Sequence, residues 1–193
     1  MSTETETVEL VGEEAVENVA RAALLAALTG AFAYVSFPNP VSPVTISLQV
    51  LGVFLAGILL GPIWGGTSMG LYLVAGAVGA PIFAGGSSGV GVLFGQSGGY
   101  LWSYPVAAFL VGVIVHGGLR LTNPGERNVV RLVGAMVVGT AVIYAFGVVG
   151  LSLVLGMSLQ KAFVAGALAF IPAEAFKIAA AVGIVNSDQI AAE

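Results

Sequence analysis

Ile46-Ser-Leu-Gln-Val-Leu-Gly-Val-Phe-Leu-Ala-Gly-Ile-Leu-Leu60, closed by Gly61-Pro62, reads as an apolar helix stopped by two residues that punctuate helices. It lies inside a longer stretch, Ala22 to Leu119, that contains no Asp, Glu, Lys or Arg. A soluble domain carries about 25% charged residues. This chain carries 8%, with 58% hydrophobic residues and a mean hydropathy of +1.01. The composition is that of an integral, all-α membrane protein. No polar stretch of domain size interrupts its 193 residues, so residues 20–193 are expected to form one transmembrane domain behind an acidic, disordered tail at 1–19. That tail holds six Glu among the first twenty residues and no base before Arg21, the wrong sign for a cleavable signal peptide.

Gly and Pro divide the apolar sequence into helices, each needing about 20 residues to cross a bilayer. The spacing predicts spans over Arg21 to Phe37, Ile46 to Leu60, Gly65 to Ala80, Tyr100 to Leu119, Leu132 to Leu155 and Pro172 to Val185. Pro81 to Gly99 is too rich in glycine and serine for one regular helix. Such backbone survives at membrane depth only where protein or a watery cavity satisfies its polar groups, so it is expected to fold over a pocket. Arg21 and the arginines between spans four and five assign both ends of the resulting compact six-helix bundle, N- and C-terminus alike, to the cytoplasm.

Against this background Glu174 and Lys177 are conspicuous, being the only charged residues between Lys161 and Asp188. By insertion scales each costs about 2.5–3.5 kcal/mol at the bilayer centre, so the pair needs compensation. Three positions apart on a helix they share one face and can reach each other or a common ligand. The alternative is a self-compensating pair that snorkels to the outer interface. Gln49, Gln96 and Tyr100 are further polar candidates for a pocket wall, whereas Trp64, Trp102, Tyr34 and Tyr104 read as interfacial or packing residues. His116 reads as a packed or snorkelling side chain. Ala22, Ala23, Ala26, Ala27 and Ala31 place small residues four apart along the first span, a surface that lets another helix approach closely.

Several segments, in order, resemble the BioY family, the substrate-binding components of energy-coupling-factor biotin transporters. Phe170-Ile-Pro-Ala-Glu-Ala-Phe-Lys177 is similar to that family's Phe-[Ile/Leu]-Pro-Gly-Asp-x-x-Lys. Pro43-Val-Thr-Ile-Ser-Leu-Gln49, Ala56-Gly-Ile-Leu-Leu-Gly-Pro62, Tyr72 with Gly79-Ala-Pro-Ile-Phe83, and Gly95-Gln-Ser-Gly-Gly-Tyr100 resemble four more of its segments, together covering about residues 20 to 186. The resemblance implies biotin uptake through a pocket opening outward, with Lys177 as counter-ion to biotin's valerate and Glu174 orienting it or accepting a hydrogen bond. It also implies pocket roles for Ser87 and Gly99, docking of Ala22, Ala23, Ala26 and Ala27 on a coupling transmembrane subunit, and two ATPase subunits as partners. Three departures stand out: Ala173-Glu174 replaces Gly-Asp, Leu101 stands where some members carry Arg, and Gly85-Gly-Ser87 stands where some carry Gly-Gly-Asn.

Other functions find less support. No Walker A motif occurs, so the chain hydrolyses no ATP through a P-loop of its own. Without cysteine and with one histidine, thiolate and multi-histidine metal sites are excluded, and neither a cofactor nor a nucleic-acid partner is expected. An intramembrane enzyme using Glu174 as base lacks a second acid or nucleophile. A component for another small carboxylated vitamin, or a non-energised channel or structural protein in the lipid, remain the rivals.

Overall fold

The computed structural model describes residues 12–123 and 128–187. Among the described residues seven α-helices follow one another: α1 Glu13–Ala33, α2 Gln49–Ala77, α3 Val90–Leu93, α4 Gly98–His116, α5 Val129–Leu155, α6 Leu159–Gly166 and α7 Ile171–Val185. The strands among the described residues are a two-residue antiparallel pair, β1 Ser36–Phe37 and β2 Ile46–Ser47, which closes the loop between α1 and α2. Among the described residues five stretches are long and apolar enough to cross a membrane: 14–33, α2, α4, α5, and the continuous run 159–185 that joins α6 to α7. Residues 1–11 of the expected tail lie outside the described residues. The helix begins at Glu13, earlier than the expected boundary at residue 20.

The second helix is a hairpin. Gly61 adopts φ 74° and ψ −176°, a combination open to glycine alone, and Pro62 follows it. The chain reverses there, so Gly65 packs against Ala56 and Gly57, and Gln49 at one end hydrogen-bonds Tyr72 near the other. A straight helix would hold Gln49 and Tyr72 about 35 Å apart at 1.5 Å per residue. Spans two and three of the sequence reading therefore correspond to two legs joined at Gly61-Pro62. The α4 helix lies along both legs, with Gly57 against the Ala108 carbonyl, Gly66 near the Pro105 carbonyl and Gly112 against Gly61 and Pro62. Missing side chains at these contacts let the backbones approach. Phe54, Ile58, Met69, Tyr72, Val111, Met136 and Ile143 fill the interior between α2, α4 and α5.

Pro62 has no N–H, so the Ile58 carbonyl four residues earlier loses its helical donor. His116, at the end of α4, replaces it: its Nε2 lies 2.9 Å from the Ile58 oxygen. The Thr122 N–H donates to Nδ1 at 3.1 Å, which fixes the neutral tautomer with the proton on Nε2. The histidine is thus packed, as one of the two sequence readings has it, and it ties the α4–α5 connection to the hairpin. His116→Phe is expected to lower stability by about 1–3 kcal/mol, the cost of a buried acceptor left unpaired. Melting in detergent checks this, and His116→Gln, which restores an N–H, should recover part of the loss.

The last leg differs from its expectation. Pro172 does sit in the first turn of α7, but α6 and a 3-10 turn at Leu168–Phe170 precede it. Pro172 thus lies within the leg rather than at its top, and the break at Ala167 to Phe170 falls at the level of the pocket described next.

Candidate ligand-binding site

The break in the last leg, the start of α2, the start of α4 and the glycine-rich loop enclose a pocket lined mainly by apolar and aromatic side chains. Its floor carries Glu174 and Lys177, exposed by only 4% and 2%. Lys177 Nζ donates to Glu174 Oε1 at 2.6 Å. The pair therefore compensates itself, as the alternative reading has it, but it is buried within the bundle rather than extended to a surface. Glu174 stands in the first turn of α7, where free N–H groups and the helix dipole favour a carboxylate. Its other oxygen, Oε2, is buried without a hydrogen-bond partner among the described residues, and so is the Tyr144 hydroxyl, which lines the same pocket and, with Glu174, a neighbouring cavity. Buried polar atoms are seldom left so, because each costs about 1–3 kcal/mol. An ammonium also has three donors, of which the Glu174 bond uses one. The floor thus offers an unused acceptor beside unused donors.

Gln49 is buried at the pocket wall. Its Oε1 accepts from Ser47 at 2.7 Å and its Nε2 donates to Tyr72, whose hydroxyl donates to the Ile82 carbonyl at 2.7 Å. This chain of bonds anchors the glycine-rich loop to both legs of the hairpin. Tyr100 donates to the Gly166 carbonyl at 2.7 Å, and its ring fills the space that Gly147 and Gly166 leave open, so it locks α4 to the break in the last leg. The loop folds over the pocket as expected, contributing Phe83, Ala84, Ser87, Val92 and Ser97.

Of the residues singled out in the sequence, Lys177, Glu174, Tyr100, Gln49 and Ser87 converge on this pocket. Gln96 lines an adjoining cleft at its mouth. Gly99 does not point inward: it packs against the Phe146 carbonyl and Gly150 on α5. Along α1, Ala22 and Ala26 are buried against the bundle, where Ser68 bonds the Ala22 carbonyl at 2.8 Å. Ala23, Ala27 and Ala31 are exposed.

Known proteins agree with this architecture. A model described as the BioY family matches residues 2–191. The chain belongs to the BioY family. It is 37% identical over 170 residues to the "Probable biotin transporter BioY" of Pyrococcus horikoshii, covering 88% of this chain and 94% of that one. To the "Biotin transporter BioY" of Rhizobium etli it is 34% identical over 139 residues, covering 70% and 72%. A crystal structure of "the S-component for biotin from an ECF-type ABC transporter" has the same fold, with a TM-score of 0.82, 27% identity and coverage of 92% and 93%. The chain is a multi-pass membrane protein of this family.

In this BioY-family pocket the sequence reading missed Tyr104, Tyr144, Ser47 and Phe170. Tyr104 carries a legible signal, standing one helical turn after Tyr100 on the same face. Tyr144 carries little, since it comes from another helix and the polar residue beside it in sequence is Thr140, one turn earlier.

Proposed function

We propose that the chain binds biotin in this pocket and serves as the substrate-binding component of an energy-coupling-factor ABC transporter. It is a transporter component and not an enzyme. The names of its relatives and of the similar crystal structure support the ligand and the assembly. One observation carries the site: a buried ion pair with an unused acceptor at Glu174 Oε2 and unused donors at Lys177 Nζ. Biotin's ureido ring matches it, with N–H groups for Glu174 and a carbonyl to accept from Lys177. The valerate matches it poorly. Lys177 already has its counter-ion, and a second carboxylate beside Glu174 in a dry site is repelled. We therefore seat the ureido ring at the pair, replacing the valerate contact that the resemblance implies, with the thiophane among Tyr100, Tyr104 and Phe170. Calorimetric titration of the purified chain tests this. Biotin is expected to bind, and iminobiotin, which has no carbonyl for Lys177, to bind far more weakly; equal affinities would refute the seating.

Tyr144→Phe removes a hydroxyl that has no hydrogen-bond partner among the described residues. Its expected result is unchanged or slightly higher thermal stability without ligand, and biotin affinity reduced by about 0.5–1.5 kcal/mol. A matching loss of stability would show the hydroxyl to be structural instead.

With α2 crossing twice, the bundle makes six crossings with both termini on the cytoplasmic side. The coupling transmembrane subunit, carrying two ATPase subunits, docks on α1 through its exposed Ala23 and Ala27. Ala23→Leu is expected to leave biotin binding within about twofold and to abolish copurification with the coupling subunit, because a small-residue contact tolerates no added bulk.

A further inference from the structure

The pocket opens into a cleft of about 300 Å³, lined by Pro43, Thr45, Ser87, Gly95, Gln96 and Ser97 among others. Thr45, Ser87 and Ser97 line both spaces, so cleft and pocket adjoin, whereas Glu174 and Lys177 line the pocket and not the cleft; Glu174 also borders a further cavity between α5 and α7. A ligand seated on the ion pair thus presents its other end to the cleft. The cleft's polar groups are three hydroxyls and one carboxamide. Among the described residues no Lys, Arg, Asp or Glu lines it, and Leu101, on the adjoining pocket, is buried and apolar. A volume of this size lies at the lower end of small-molecule sites, ample for more than a carboxylate.

From this we infer that the site takes carboxyl-linked biotin as well as the free acid, with the linked group held in the neutral cleft; biotin joined by an amide to lysine is the representative ligand. The inference rests on the ureido seating proposed above. Hydroxyls and a carboxamide can bond an amide's N–H and C=O as well as a carboxylate; the bonds to the carboxylate are the stronger, but its charge also costs more to desolvate. No fixed charge rewards the acid or penalises its neutral derivative, and an amide on the valerate keeps the ureido ring, the thiophane and the chain unchanged. The ligand class is therefore set at the floor of the pocket, and the mouth discriminates little.

The test is calorimetric titration of the purified full chain with biotin, biotinamide and biotinyl-lysine. Both amides are expected to bind within about tenfold of biotin, a difference near 1.4 kcal/mol. Pro43→Lys adds a cation to the exposed cleft wall without removing a hydroxyl. It is expected to tighten the free acid by about two- to fivefold, as a solvent-exposed pair does, and to leave biotinamide, which carries no charge, unchanged. Amides more than about a hundredfold weaker than biotin would overturn the inference while leaving the biotin site intact. An equal response of acid and biotinamide to Pro43→Lys would overturn it too, because the carboxyl group would not then lie in the cleft. Failure of biotin itself to bind would remove both this inference and the proposed function beneath it.

Discussion

Lys177→Ala is expected to weaken biotin binding by about 2–5 kcal/mol, the range for truncating one partner of a buried, hydrogen-bonded charge pair. Two effects add. The ligand's carbonyl loses its donor, and Glu174, exposed by only 4%, is left as a lone carboxylate in an apolar pocket. The second effect also acts on the empty protein, since breaking a buried pair from one side costs about 3–5 kcal/mol of stability. A double variant separates them. Lys177→Met with Glu174→Gln removes both charges at similar volume, and stability is expected to return toward that of the unmodified chain while binding stays lost. Calorimetry reads the binding and melting in detergent reads the stability. Recovery of binding in the double variant would show that the pair only holds the helix in place.

Gly112→Val is expected to be the most damaging single change to the fold. A Cβ at Gly112 would fall on the backbone of Gly61 and Pro62, which cannot swing aside as a side chain would. Overpacking costs about 1–3 kcal/mol and occasionally more. Here it acts at the turn of the α2 hairpin, so the displacement passes along α4 to Tyr100 and Tyr104 and along α2 to Gln49. Loss of folded protein, or a large fall in melting temperature together with weaker biotin binding, is the expected outcome. Gly134→Ala is the control. Nothing lies within 4 Å of the added methyl, and helix propensity favours alanine by about 1 kcal/mol. If both substitutions were equally harmless, the close approach of α4 to the hairpin would be refuted.

The division of the chain into helices is largely legible from composition and punctuation. Gly61-Pro62 marks a reversal because one residue supplies the unusual φ and the other removes a helical donor, and both effects are local. The ion pair is legible for a similar reason, being the only charge in its segment. The faces of the helices are not legible. In an ordinary soluble helix an apolar stripe separates core from solvent. In these spans the lipid side is as apolar as the core, so the sequence around Ala22 to Ala31 does not tell which alanines are covered. Packing against α2 buries Ala22 and Ala26 and leaves Ala23 and Ala27 outside. Gly99 is a related case: its motif points to the pocket, but its own face meets α5.

By itself the sequence determined that this is a membrane-spanning helical protein and where its helices break, and it singled out Glu174 and Lys177 as the charges that need compensation. These follow from composition and from spacings of a few residues, which act through solvent and backbone alone. Only the tertiary structure decided that the two charges are paired and buried together. It also brought Tyr104 and Tyr144 to the same pocket from different helices, and joined that pocket to a neutral cleft. Each of these depends on contacts between residues far apart in the chain, and such contacts exist only once the helices have packed.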